Sequence, residues 1–148
     1  MEQYTNETYG YQIDYPIDWT IHDDNPGKVS ILEPSGSGQL RVSVAEATRR
    51  YTLDEGVELA LQNTKERMDN VTVLGQRDLT LPNNQQAHVI DMTFDNPSDS
   101  AGEFRAKYLA TVQGLTVYEV SFGILRSEYS KGMDAIATNI IESFALTE

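Results

Sequence analysis

The chain has 148 residues, no cysteine, 11 basic against 23 acidic side chains and a net charge of −12. That length suits a single domain spanning 1–148 with a real core, and the missing cysteines exclude disulfides, thiolate metal sites and thiol nucleophiles. So anionic a surface repels phosphate backbones, which argues against nucleic-acid binding, and no apolar run approaches the roughly 18 residues that a bilayer span needs.

Tyr9, Tyr11, Ile13 and Tyr15 alternate with Gly10, Gln12 and Asp14, the period of a half-buried strand. Pro16 has no amide to give a sheet ladder, so the strand stops or bends there. Trp19 and Ile21 restart the alternation, and Asn25-Pro26-Gly27 marks a turn. Segments 28–33 and 39–45 alternate well around the turn-rich 34–38, which predicts a hairpin with Leu40, Val42 and Val44 on one face and Arg41 and Ser43 on the other. Thr52 and Glu55 have the spacing of a capping box. Leu53, Val57, Ala60, Leu61, Thr64 and Met68 then form a helical stripe that ends near Asp69 and Asn70. Gly56 interrupts this helix with no reason visible in the sequence.

Residues 71–81 read as a strand with a bulge or bend at Gly75. After a turn at 81–84, strands 86–94, 103–113 and 115–124 form a meander with Gly114 as its second tight link. Three rows are expected to make the main core face: His88, Ile90, Met92 and Phe94; Phe104, Ala106, Tyr108, Ala110 and Val112; Tyr118, Val120, Phe122 and Ile124. Pairing centred on Gly114 sets Glu119 beside Leu109 and diagonal to Lys107, within reach of an ion pair. Tyr129, Met133, Ile136, Ala137, Ile140, Ile141 and Phe144 step by three or four, so a final helix is expected on that core face. The first helix or a loop is expected to cover part of the mixed opposite face.

The phrase Gly10-Tyr11-Gln12-Ile13-Asp14-Tyr15-Pro16-Ile17-Asp18-Trp19 and the ending Ile140-Ile141-Glu142-Ser143-Phe144 resemble the opening and close of the bacterial PsbP-like domain. The resemblance covers nearly the whole chain. It implies the Mog/PsbP fold: an α+β, α-β-α sandwich with a twisted, mainly antiparallel sheet of about six or seven strands and two main helices. It further implies an extracytoplasmic or membrane-anchored protein whose secretion signal or lipid anchor precedes this segment, a cytoplasmic protein being the alternative. The matching positions are structural, so the resemblance carries over no catalytic residue. Plant members assist a manganese–calcium enzyme, which draws interest to acidic loops.

Three sets of residues are candidates for function. Tyr11, Tyr15 and Trp19, with Tyr4, Tyr9 and Tyr51 nearby in sequence, offer either core packing or an aromatic ligand groove. Asp95, Asp99 and Glu103 bound an oxygen-rich loop suited to a hard cation, although Pro97, Ala101 and Ala106 break the EF-hand pattern. His22-Asp23-Asp24 and the strand residue His88 are the remaining possibilities, more consistent with a solvated turn and a strand end. No nucleophile elbow, phosphate loop or zinc ligand set stands in the sequence. The expectation is a non-catalytic accessory or protein-binding module with an unidentified protein partner and no cofactor. The alternative is a small-ligand or divalent-cation binding protein using the aromatic face or the 95–103 loop.

Overall fold

The computed structural model describes residues 1–25, 27–98 and 102–147. Its elements in chain order are β1 (Glu2–Asn6), β2 (Tyr11–Tyr15), β3 (Thr20–Asn25), β4 (Lys28–Leu32), β5 (Gln39–Glu46), α1 (Leu53–Arg67), β6 (Asp69–Thr80), β7 (Gln86–Asp95), β8 (Glu103–Gln113), β9 (Thr116–Leu125), α2 (Lys131–Ser143) and β10 (Ala145–Leu146). Seven strands form one antiparallel sheet in the order β3-β4-β5-β9-β8-β7-β6, and β1-β2-β10 form a small second sheet. The helices lie on opposite faces of the large sheet, α1 against Ile90, Met92, Ala106, Tyr108 and Ala110, α2 against the row of Tyr118, Val120, Phe122 and Ile124. This is the α+β architecture expected.

Local chemistry accounts for the helix ends. The Thr52 hydroxyl accepts from the Glu55 amide at 3.1 Å and the Glu55 carboxylate accepts from the Thr52 amide at 2.9 Å, closing the capping box. Ser130 caps α2 by accepting from the Met133 amide at 3.1 Å. The helix ends at Arg67 with Met68 as its extended cap, two residues before the expected stop. Gly56 now has a reason. A Cβ there would stand 3.2 Å from Val112 Cγ2, so the glycine lets α1 lie close on β8.

The aromatic strand β2 does not join the large sheet; it pairs with β1 and β10, and packs Tyr11 and Ile13 with Ile140, Ile141 and Phe144 of the α2 layer. Gly10, at φ +69°, turns the chain into it.

One expectation, the register of the meander, is corrected. Gln113 pairs with Thr116 across a two-residue turn at Gly114 and Leu115, so Leu109 faces Val120 and Glu119 faces Ala110. Relative to pairing centred on Gly114, this is a shift of one residue. A shift of one flips a strand's side chains to the other face. The even-numbered rows of β7 and β8 therefore lie under α1, and Val89, Asp91, Arg105, Lys107 and Leu109 join the β9 row on the α2 face. Lys107 consequently pairs with Asp91 and Asp134 rather than with Glu119. The bulge at Gly75 is present: the register of β6 on β7 shifts between Val73 and Gly75.

Candidate functional site

Of the aromatic candidates, Tyr11 is 0% and Trp19 7% exposed. Trp19 stacks on Phe122 with centroids 5.3 Å apart, and Tyr11 lies among Tyr4, Tyr118 and Phe144. Tyr15 is half-buried against the same core. Burial holds the Tyr11 phenol well above its usual range. Burial and the hydrogen bond to Asp23 push Tyr4 up to about 12. Tyr11 and Trp19 are thus core side chains packed on other rings, and neither they nor Tyr15 belong to the groove described below.

In the acidic loop, Asp95 ends β7 and accepts from Asn70 Nδ2 at 2.8 Å, while Glu103 opens β8 and holds Arg126 at 2.6 Å. Asp99 lies outside the described residues. Among the described residues no group of three or more histidine, cysteine, aspartate or glutamate side chains is arranged to hold a metal ion. His88 bridges two β6 side chains, Nδ1 to Asp78 at 2.9 Å and Nε2 to Gln76 at 2.8 Å. His22 and Asp23 lie exposed on β3, and Asp23 accepts from the Tyr4 hydroxyl at 2.8 Å.

On the α2 face the sheet carries a closed ionic cluster. Lys107 is 7% exposed. Its Nζ sits 2.7 Å from Asp91 Oδ1 and 3.3 Å from Asp134 Oδ1. Arg105 also reaches Asp91, at 3.2 Å, and lies 4.6 Å above the Tyr129 ring. The Tyr129 hydroxyl donates to Asp134. That bond and the Lys107 charge hold the Asp134 carboxyl below its usual range. A buried ammonium is tolerated only when paired in this way, and the cluster pins the start of α2 to β7 and β8.

The α1 face is different. The helix covers β6, β7 and β8 but leaves β9, β5 and β4 open, and a groove of about 440 Å³ runs along the edge of the cover. The strand registers build its floor in rows. One row sets Arg41 beside Ser121 beside Tyr108. Its neighbours set Lys28, Ser43 and Glu119 on one side and Gln39, Gly123 and Ala106 on the other. Met92, Phe94 and Phe104 form the apolar wall, where the two phenyl rings stack at 5.9 Å with 11° between planes. Thr64, Arg67 and Met68 overhang it from the end of α1.

The groove's charges are unmatched. Among the described residues, no ion pair engages Lys28, Arg41 or Arg67; Arg41 makes only a long 3.4 Å bond to Gln39. The Tyr108 hydroxyl is buried beside the Glu119 carboxylate without closing a well-formed hydrogen bond to it. Burial above all, and then the Glu119 carboxylate, raise this phenol far above its ordinary value.

Sequence reasoning missed this site because it placed Met92, Phe94, Phe104 and Tyr108 under the wrong helix. One signal was available: Glu119, Ser121 and Gly123 alternate with four apolar neighbours, and a glycine inside a strand marks a bend or a close approach.

No family model matches the chain, and no curated protein matches it in sequence. Solved structures do. The Mog1 protein, in a mutant form, superposes with a TM-score of 0.70 at 10% identity, covering 99% of this chain and 96% of its own. LpqN of Mycobacterium tuberculosis, involved in cell envelope biogenesis, gives 0.68 at 14% identity, covering 99% and 90%. The cyanobacterial PsbP of Synechocystis gives 0.67 at 12%, covering 98% and 91%. Likeness at this identity shows the fold, and the chain has the PsbP-like/Mog fold that its opening and closing phrases implied.

Proposed function

We propose that this protein is a non-catalytic accessory module that works by binding, and that the groove beside α1 is its receiving surface. The observation that carries this reading is the excess of positive charge in the groove: three cations without ion pairs and a single carboxylate, Glu119, line an open, partly apolar depression in a chain with a large excess of acids. Exposed charge on a monomer is ordinary. Cations gathered from β4, β5 and α1 around one concavity, beside a stacked aromatic pair, are the composition of a binding site. The groove holds neither histidine, the side chain best suited to proton transfer near neutral pH. Its hydroxyls, those of Ser37, Ser43, Ser121, Thr64 and Tyr108, have no imidazole beside them, which supports binding over hydrolysis.

The location that fits this reading is extracytoplasmic. The envelope role named for LpqN supports it, as does the resemblance to the PsbP-like domain. No helix among the described residues is long and apolar enough to cross a membrane.

The test is to isolate the protein from its own cells and weigh it intact under native conditions, beside a Gly123→Leu variant whose new side chain fills the groove. The wild type is expected to carry a bound molecule or a stoichiometric partner that the variant lacks. Turnover of chromogenic esters, phosphates or glycosides that disappears in the same variant would overturn the non-catalytic reading.

A further inference from the structure

Resting on that reading of the groove, we propose that its ligand is a free small anionic amphiphile: a carboxylate, sulfonate or phosphate monoester on an apolar aryl or alkyl body. Four observations converge on this chemistry.

The first is charge complementarity. Lys28, Arg41 and Arg67, like Arg50, Lys65 and Lys131, have no ion pair among the described residues; what sets the three apart is where they gather. They come from β4, β5 and the last turn of α1 and share one concavity. An anion there gains charge-assisted hydrogen bonds, the stronger kind, and guanidinium groups take carboxylate or phosphate in pairs of bonds.

The second is Gly123. Its φ lies outside the left-handed region, so the backbone does not require glycine. A Cβ built there meets nothing nearer than 3.9 Å, at Ala106 Cβ and the Arg105 carbonyl, so packing does not require it either. A glycine in a strand interior weakens the strand, and a close-approaching ligand is one recognised reason for it. It keeps a depression open between Gln39 and Ala106.

The third is the Tyr108 hydroxyl. Tyr108 is 8% exposed and lines the groove one strand from Ser121. The Glu119 carboxylate stands beside its hydroxyl without closing a well-formed hydrogen bond; a desolvated donor is costly until it finds an acceptor, and a ligand oxygen entering over Ser121 competes with Glu119 to supply one.

The fourth is the apolar wall. Phe94 and Phe104 are half-buried and stacked at the end of the groove, next to Met92. A hydrophilic anion would leave this wall wet; a neutral hydrocarbon would leave the cations uncompensated. One molecule with both halves satisfies the site, and about 440 Å³ holds a small molecule rather than a folded segment.

The experiment is a fluorescence titration of the full chain with anilinonaphthalene sulfonate and, separately, with its neutral relative N-phenyl-naphthylamine, with laurate as competitor. The sulfonate is expected to saturate one site per chain, the neutral probe to bind at least about tenfold more weakly, and laurate to displace the sulfonate; tenfold is the scale of one charge-assisted contact. The double variant Arg41→Gln, Arg67→Gln is expected to lose about tenfold in sulfonate affinity. Both positions are exposed, so folding is preserved. Gly123→Leu is expected to abolish binding of both probes while the melting profile is retained. Equal affinity for the two probes, both lost in Gly123→Leu, would overturn the anion assignment and leave the groove reading standing. Affinity unchanged by either variant would overturn both. Displacement by a Glu-rich peptide but not by laurate would replace the small amphiphile with an acidic polypeptide.

Discussion

On the α2 face of the large sheet Lys107 meets Asp91 and Asp134 at 2.7 and 3.3 Å, whereas on the α1 face Lys28, Arg41 and Arg67 meet no carboxylate among the described residues. The two faces belong to the same strands; Lys107 and Tyr108 are consecutive residues. What separates them is cover. Under α2 the Lys107 ammonium is buried and Asp91 and Arg105 are largely covered, so leaving Lys107 unpaired would be costly and it is matched. Beside α1 water does the matching, so the cations remain available to a ligand. Paired, covered charge on this protein holds elements together, and the unpaired cations gathered in the groove are where the proposed ligand would dock.

The comparison can be broken at the closed face first. Trp19→Ala removes the ring stacked on Phe122 and is expected to cost about 3–5 kcal/mol in urea unfolding. A cost under about 1 kcal/mol would mean that this core is not packed as described. Asp91→Ala leaves Arg105 without a carboxylate and Lys107 with Asp134 alone, and the expected loss is about 3 kcal/mol, the low end for breaking a buried pair. Sulfonate affinity of the folded fraction is expected to stay constant, because the cluster lies on the far side of the sheet.

The opposite pattern is expected at the open face. Arg41→Gln and Arg67→Gln should change stability by no more than about 0.5 kcal/mol each, as for surface positions without structural partners. A larger loss in either would show that the cation supports the fold.

Acid titration sharpens the contrast further. The folded Asp134 carboxyl is held below its ordinary value of 3.8, chiefly by the Tyr129 hydrogen bond. Its contribution is therefore complete above that value and is lost as pH falls through the lower folded one. Asp134→Asn should flatten the acid limb of the melting temperature against pH below about 4, with no effect near neutrality attributable to titration. Smallest of all, Gly56→Ala should change stability by less than about 0.5 kcal/mol, since a gain in helix propensity of about 1 kcal/mol is offset by crowding on Val112. The gain should reappear when Gly56→Ala is made in a Val112→Ala background.

Much of this molecule is legible in one dimension. The Thr52–Glu55 capping box, the α2 stripe, the β4–β5 hairpin and the Gly75 bulge depend on residues within a few positions of one another, and each appears where its pattern placed it. The PsbP-like/Mog fold followed from the opening and closing phrases, and burial decided between the two roles left open for Trp19. The candidate site was not legible. It joins Lys28 and Arg41 to Arg67, Phe94, Phe104 and Gly123, which no local pattern links.

The alternation of residues determined that β7, β8 and β9 are strands and which side chains in each point together, because a strand's two faces follow from its period of two. Which helix each face meets was decided elsewhere, by the two-residue turn at Gly114 and Leu115 that pairs Gln113 with Thr116. Periodicity is indifferent to a shift of one residue; packing is not, since that shift exchanges the faces. The sequence by itself specified the strands and helices, and tertiary contact chose which charges were closed in and which were left facing the groove.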